Sequence, residues 1–489
     1  MIRTKIVATI GPACSTADAL LRLFEAGVDV CRLNFSHGTL DSHVKTLGMI
    51  RDAAAQFGHP VAVLGDLCGP KIRVGQIKDI DESGGMPVKQ GDGLTIQRKP
   101  IVGEKLRISS TYDHIVDDVQ VGDRVLIEDG LLRFFVIDKT ADELHLSATV
   151  AGVIKTGKGI NLPHTKLNVP AITEKDWEAI EFSIDEGIDY LAMSFVRRAD
   201  EIQHVREHLR NKMSDIQLIA KIEKSEAVTN IKSIIDAADG LMIARGDLGV
   251  EMDVAQVPII QKDLVRKCQS AGKPVIVATQ MLQSMIENSS PTRAEVSDVA
   301  NAIFDGTDAL MLSGETSVGR FPAGAVLTMA HVAEVTEKYI DTVRPHFEPL
   351  KLDGLQMSMA VANGVRQMAA DLKMKLVVVY SQTGSTARIF SKTRFPIPII
   401  ALSSDPRALR RMSLHYGVQP QELAPPKDIT ELIEAVDQML QKQKYAQPGD
   451  RIVIVAGSSL GTPGTLNSVV LHTVGDQISG GNDATVRSE

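Results

Sequence analysis

Eight apolar runs, each followed by a helical stretch and each ending on polar or charged residues, constrain this chain more than any other feature. They span 5–10, 29–35, 60–66, 189–195, 217–223, 240–244, 274–279 and 309–313. A strand, a helix and a further strand make the two strands parallel. Eight such units imply a (β/α)8 TIM barrel, with an open parallel sheet as the rival that periodicity alone leaves standing. A barrel gathers its chemistry at the strand C-termini. Those ends read Arg32, Asn34 and Ser36; Asp66; Ser194; Lys221 and Glu223; Asp247; Thr279; and Ser313 with Glu315.

The alternation breaks between 69 and 168. That stretch is rich in Gly and Asp and carries short alternating runs at 123–128 and 131–137, which read as a compact all-β insert. A helix over 323–339 closes the barrel, and 344–352 reads as a linker. Helices near 356–372, 385–392 and 429–443, with strands at 376–380, 397–402, 452–456 and 469–474, then describe a separate three-layer α/β domain. The expected division is 1–68 with 168–345 for the barrel, 69–167 for a small inserted β-barrel lid, and 346–489 for the C-terminal domain. The polar end, 480–489, reads as disordered.

The stretch 217–251 concentrates the chemistry. Its two strands place Glu223 and Asp247 at the same end, where their carboxylates can share a divalent cation beside Lys221. One helix is expected over 225–238. The run Arg245-Gly246-Asp247-Leu248-Gly249 reads as a turn into a helix, whose free N–H groups favour an anion. A metal, a lysine and an anion-binding turn together make a phosphate or carboxylate site. A net charge of −8 argues against a nucleic-acid partner. No run approaches the roughly twenty apolar residues of a membrane span. The four cysteines lack metal-ligand spacing, and the first apolar run is too short for a signal peptide, so a cytoplasmic protein is expected.

Nine segments in order resemble the pyruvate kinase family over nearly the whole chain: TKIVATIGPAC, CRLNFSHGT, GPKIRVG, KGINLP, KIEKSEAVTNI, ARGDLGVE, VATQMLQSM, PTRAEVSDVANAIFDGTDALMLSGET and GTLNSV. The resemblance implies a barrel, an inserted lid and a C-terminal effector domain. It implies the glycolytic transfer of a phosphoryl group from phosphoenolpyruvate to ADP, giving pyruvate and ATP. It implies Mg2+ or Mn2+ on Glu223 and Asp247, a second Mg2+ with the nucleotide, and a homotetramer with an interface near Pro291-Thr292-Arg293. Arg32, Arg73, Lys221 and Thr279 match the family's catalytic positions. Ala244, Arg245, Gly246 and Asp247 match its substrate-binding turn, and Asn34, Arg73 and Lys158 its nucleotide contacts.

The residue types suit that chemistry. Phosphoryl transfer needs positioning and charge neutralisation more than covalent help. Two carboxylates are hard oxygen donors for Mg2+, arginine forks match phosphate, and an ammonium offsets charge on the transferring group and the departing enolate. Another Mg2+-dependent enolate-handling barrel enzyme, an aldolase or lyase, would keep the metal pair but not need Lys158. A non-catalytic phosphometabolite sensor would have lost Lys221 or a metal ligand, and none is lost. The loop Ser381, Thr383, Gly384, Ser385 and Thr386 matches the family's effector loop. It offers hydroxyls and N–H groups to a phosphate, while the partner loop 457–467 has no Lys or Arg. A phosphorylated effector is expected, and a bisphosphate held by extra basic residues is not.

One departure from the family pattern has a consequence. Many members hold K+ with residues matching Asn34, Ser36, Asp66 and the carbonyl of Leu67. They carry Glu at the position of Lys71, Thr-Lys at Leu67-Cys68 and Thr at Val74. Members with Lys at that position work without the cation. A tethered ammonium supplies the charge that K+ would bring beside a polyanionic substrate, and it repels the ion itself. The wild type should therefore be fully active in tetraalkylammonium buffer free of Na+ and K+. Lys71→Glu should lower activity and create at least partial K+ dependence. Strong K+ activation of the wild type would overturn the tethered-cation reading.

Overall fold

The computed structural model describes residues 2–78, 84–163, 165–343, 356–457 and 466–476. The expected linker at 344–352, most of the partner loop 457–467 and the 480–489 end lie outside the described residues. Eight parallel strands close into a barrel in which sequence neighbours pair throughout: Lys5–Thr9, Val30–Asn34, Ala62–Asp66, Tyr190–Met193, Gln217–Ile222, Gly240–Ala244, Val275–Ala278 and Ala309–Leu312. All eight are buried except at Asn34, Gln217 and Lys221, which is why they read as apolar runs rather than alternating ones. The pairing of Lys5 with Ala309 closes the ring, and that of Ala244 with Ala278 sets the sixth and seventh strand ends level. Thr16, Thr39, Thr173 and Thr292 each cap the start of a barrel helix by accepting a backbone N–H, which fixes where those helices begin.

The helix expected over 225–238 is two helices, Ser225–Thr229 and Ile231–Ala237. They part at Asn230, whose side-chain amide donates to the Arg197 carbonyl at 3.0 Å. The apolar spacing continues across the break, so periodicity does not register it.

The insert forms a six-stranded sheet and a two-stranded sheet over one core that includes Leu94, Ile96, Val125, Phe134 and Leu144. Residues 73–74 bridge to Gly159 beside one edge strand of the larger sheet and to Ser110 beside the other. The segment leaving the barrel therefore joins both edges and closes the sheet on itself.

After the helix Pro322–Val343, a five-stranded sheet runs in the order Val418–Glu422, Ile399–Ser403, Leu376–Tyr380, Arg451–Ala456 and Ser468–Thr473, the last strand antiparallel. The sequence reading lacks the helix Pro406–Met412 and the strand Val418–Glu422. Pro420 and three polar neighbours disguise that strand, and it lies at the sheet edge, where a proline is tolerated. This C-terminal unit seats on the base of the barrel. Leu414 enters the barrel's inner cluster with Val7, Tyr190, Ile219 and Met242. The fully buried pair of Lys392 and Asp308, at 2.6 Å, ties the two bodies together.

Candidate active site

Neighbouring barrel strands deliver a charged cluster to one mouth. Asp66, at the end of the third strand, lies at its centre. Its Oδ2 accepts from Arg32 Nε at 2.7 Å, and its Oδ1 lies 3.1 Å from Lys221 Nζ. Lys221 Nζ also donates to Ser194 Oγ at 2.6 Å and meets Glu223 Oε1 at 2.9 Å. The other Glu223 oxygen accepts the Phe195 N–H at 2.7 Å, and Arg32 donates its second bond to Thr9 Oγ1 at 2.9 Å. Burial alone would push the Asp66 carboxyl up, but Lys221 and Arg32 outweigh it and hold it below its ordinary range. Burial likewise opposes the Lys221 charge, and Asp66 with Glu223 overcomes it, raising its pKa above that of a free lysine.

Asp247 stands beside this group in the first turn of the helix Arg245–Glu251. Burial and then the Glu223 charge push its carboxyl up to about 6, while Lys221 and Lys71 pull the other way. Asp66 and Glu223 are ion-paired with Arg32 and Lys221, whereas Asp247 has no ion-pair partner among the described residues. Among the described residues no three His, Cys, Asp or Glu side chains gather as a complete ligand set. Two adjacent carboxylates with open positions fit Mg2+ or Mn2+, which keep water and substrate oxygens in their shells.

Thr279 follows the seventh strand at φ 69°, a left-handed conformation that a β-branched residue rarely takes. Its hydroxyl accepts the Gly246 N–H at 2.8 Å and donates to the Ala278 carbonyl at 2.7 Å. The anion-binding turn is thus smaller than the sequence suggests, because the Gly246 N–H is already engaged. Arg245 is a brace: its guanidinium donates to Asp298 at 2.7 Å and to the Thr279 carbonyl at 2.9 Å. Ala244 is buried in its strand.

The insert contributes from the other side. Arg73 donates to the Gly157 carbonyl at 2.8 Å, and Lys158 pairs with Glu128 at 2.5 Å. Lys71 is exposed, and its stem lies so close to Gly159 that a Cβ there would come 3.3 Å from Lys71 Cε. Lys71 and Asp247 line one small cavity with Phe195, Arg197 and Lys224. Of the residues matching a K+ site, Asn34 accepts the Ser36 N–H at 3.2 Å, Asp66 is held by Arg32 and Lys221, and the Leu67 carbonyl accepts from Ser194 at 2.8 Å. Ser381, Thr383, Gly384, Ser385 and Thr386 are not at this mouth. They lead into the helix Ser385–Lys392 of the C-terminal unit.

The sequence reading missed Thr9, the Phe195 N–H and the pairing of Glu128 with Lys158, thirty residues apart. It placed Ser194 at a strand end without its bond to Lys221. Glu315, named among the strand ends, accepts the Leu282 and Ser313 N–H groups and is 1% exposed, so it braces the adjoining loops.

The sequence matches two family models, "Pyruvate kinase, barrel domain" over residues 1–326 and "Pyruvate kinase, alpha/beta domain" over residues 359–472. The chain belongs to the pyruvate kinase family. It is 43% identical over 482 residues to a pyruvate kinase of Geobacillus stearothermophilus, covering 98% of this chain and 81% of the relative. A Bacillus licheniformis pyruvate kinase is 41% identical over 488 residues, covering 98% and 82%. Among solved structures, a pyruvate kinase from Cryptosporidium parvum superposes with a TM-score of 0.89 at 35% identity, covering 97% of this chain and 96% of that one. Pyruvate kinases generally use Mg2+, and the Glu223 and Asp247 pair has the donor chemistry for it.

Glu223→Gln and Asp247→Asn should each raise the Mn2+ concentration for half-maximal activity by at least about tenfold, roughly 1.4 kcal/mol. An anionic oxygen becomes neutral in each. A midpoint unchanged in both variants would put the cation elsewhere.

Proposed function

We infer that this chain catalyses phosphoryl transfer from phosphoenolpyruvate to ADP at the mouth built around Asp66 and Lys221. The observation that carries the reading is the Lys221 ammonium held among Asp66, Glu223 and Ser194, beside a carboxylate pair suited to Mg2+. An aldolase or lyase does not account for family matches that span both the barrel and the C-terminal unit, and a non-catalytic sensor does not account for the retention of Lys221, Glu223 and Asp247.

In the reaction the bond from phosphorus to the enol oxygen breaks and a bond from phosphorus to a terminal ADP oxygen forms. The enolate left behind takes a proton on carbon to become pyruvate. Mg2+ on Glu223 and Asp247 would neutralise phosphate and enolate charge. Arg32 binds the transferring phosphoryl group with the N–H donors that Asp66 and Thr9 leave free. Lys221 stabilises charge as it develops on the transferring group and the enolate oxygen. The remaining N–H groups of the Ala244–Asp247 turn receive the substrate carboxylate, and Thr279 stands near the carbon that is protonated. Asn34, Arg73 and Lys158 receive the nucleotide phosphates with a second Mg2+, and Lys158 leaves Glu128 when they bind. K+ is not required: Asp66 and the Leu67 carbonyl already have protein partners, and the Lys71 charge acts on Asp247.

The units divide at 68/69, 167/168 and 345/346, a reading supported by separate hydrophobic clusters for the barrel, for the insert and, on the two faces of its sheet, for the C-terminal unit. Activity belongs in the cytoplasm with the rest of glycolysis. No helix among the described residues is long and apolar enough to cross a membrane. The protein is a homotetramer, which the exposed Phe304, Leu327, Val335 and Tyr339 of two barrel helices support. Light scattering at working concentration should give four times 52.9 kDa, and a monomer mass would overturn the assembly.

Lys221→Met should lower kcat by about a hundred- to a thousand-fold with little change in phosphoenolpyruvate affinity. Losing a buried partner also costs about 3–5 kcal/mol of stability, so melting is recorded alongside. A folded variant with normal kcat would sink the assignment.

A further inference from the structure

Lys224 follows Glu223 directly and lines the same small cavity as Asp247, Lys71 and Phe195. It forms no hydrogen bond or ion pair with Glu223 or Asp247. Its ammonium instead meets Glu251 Oε1 at 2.6 Å. The pair is enclosed: the Glu251 side chain is 2% exposed and that of Lys224 14%. Among the described residues the Glu251 carboxylate has no other partner, and the Lys224 ammonium donates to no other group. The same ammonium lies 6.0 Å from the centre of the Phe195 ring, where it is drawn to the negative ring face.

Both contacts lead to the metal carboxylates. Glu251 ends the helix Arg245–Glu251, four residues after Asp247. Residues four apart share a helix face, with Cβ atoms about 5–6 Å from each other. The start of that helix is fastened by the Gly246 N–H on Thr279 and by Arg245 on Asp298. A helix fastened at its start alone can still turn about its axis and swing Asp247 with it. A second anchor at Glu251, on the face of Asp247, stops that turn. The other contact acts on Glu223. Phe195 sits at φ 55°, and its N–H holds one Glu223 oxygen at 2.7 Å. A positive φ is costly for a bulky residue and persists only where the surroundings over-determine it. The Lys224 ammonium against the ring is one such restraint.

We propose that Lys224 is a positioning residue that fixes the spacing of Glu223 and Asp247, through Phe195 on one side and Glu251 on the other. The proposal rests on the reading of those two carboxylates as the divalent-cation ligands and extends it to a residue that touches neither. Charge and geometry make opposite predictions for its removal. As a charge alone, Lys224 repels a divalent cation, so removing it would tighten binding. As a brace, it holds two like charges at the separation the cation needs, so removing it weakens binding. Groups that orient metal ligands typically govern affinity by about ten- to a hundredfold.

The test is Mn2+ binding to the full-length protein without substrate, with free Mn2+ counted by electron paramagnetic resonance. Lys224→Met should raise the Mn2+ dissociation constant by about tenfold. Lys224→Arg, which keeps a charged donor for Glu251, should recover most of that loss. The double variant of Lys224→Met and Glu251→Gln removes one charge of each sign, so its Mn2+ affinity reports geometry rather than net charge, and it too should bind about tenfold more weakly. It leaves no buried carboxylate unpaired, and it decides should Lys224→Met fail to fold. Unchanged or tighter Mn2+ binding in the double variant or in folded Lys224→Met would overturn the positioning role, as would a loss that Lys224→Arg does not recover. Glu223→Gln and Asp247→Asn are titrated in parallel. A wild-type dissociation constant in both would place the cation elsewhere and remove the reading on which the proposal rests.

Discussion

The contact on which the catalytic mouth depends is that of Lys221 with the buried carboxylate of Asp66. Asp66 is 1% exposed and also holds Arg32, so one side chain orients both cations of the site. Burying such charges is expensive unless they are paired with good geometry and their remaining bonds are met. Here Ser194, Thr9, Glu223 and the Phe195 N–H meet them. The strands around them are apolar and rigid, so the charges are fixed before any substrate arrives. That is the condition under which electrostatic stabilisation of a transition state costs little reorganisation.

The same network sets the character of the metal position. With Asp66 spent on Arg32 and Lys221, the carboxylate left facing Glu223 is Asp247, and burial first and the Glu223 charge second raise its pKa. Two anions held together by the fold are a demand for a divalent cation. Strain gathers here as well. Phe195 and Thr279 both sit at positive φ, and both make the hydrogen bonds that orient Glu223 and the Arg245–Asp247 turn.

The barrel's two ends do different work. The upper end receives the insert through residues 73–74, which join both edges of its larger sheet and bring Lys71 over the cleft. The lower end receives the C-terminal unit through Leu414 and through Asp308, which pairs with Lys392 at 2.6 Å and with Arg394 at 3.2 Å. Four strands that begin at a cavity between the barrel and the C-terminal unit end at the charged mouth.

The sequence by itself determined eight parallel strands in order, and the pairing of the first with the eighth decided for a closed barrel over an open sheet. The apolar runs record strands buried on both faces, a property that a barrel and an open parallel sheet share. The sequence also determined which residue types reach the mouth, because position at a strand's C-terminus is a local property. Arg32, Asp66, Lys221, Glu223, Asp247 and Thr279 were legible on that ground. What only the tertiary structure decided was who meets whom. Asp66 pairing with Lys221, the Gly246 N–H being spent on Thr279 and Lys158 meeting Glu128 are contacts between segments with no periodic relation. The edge strand Val418–Glu422 was hidden because its partner, not its own composition, makes it a strand. The lower cavity was invisible for the same reason: its lining comes from 190–274 and 383–415, segments that only the docking of the C-terminal unit on the barrel brings together.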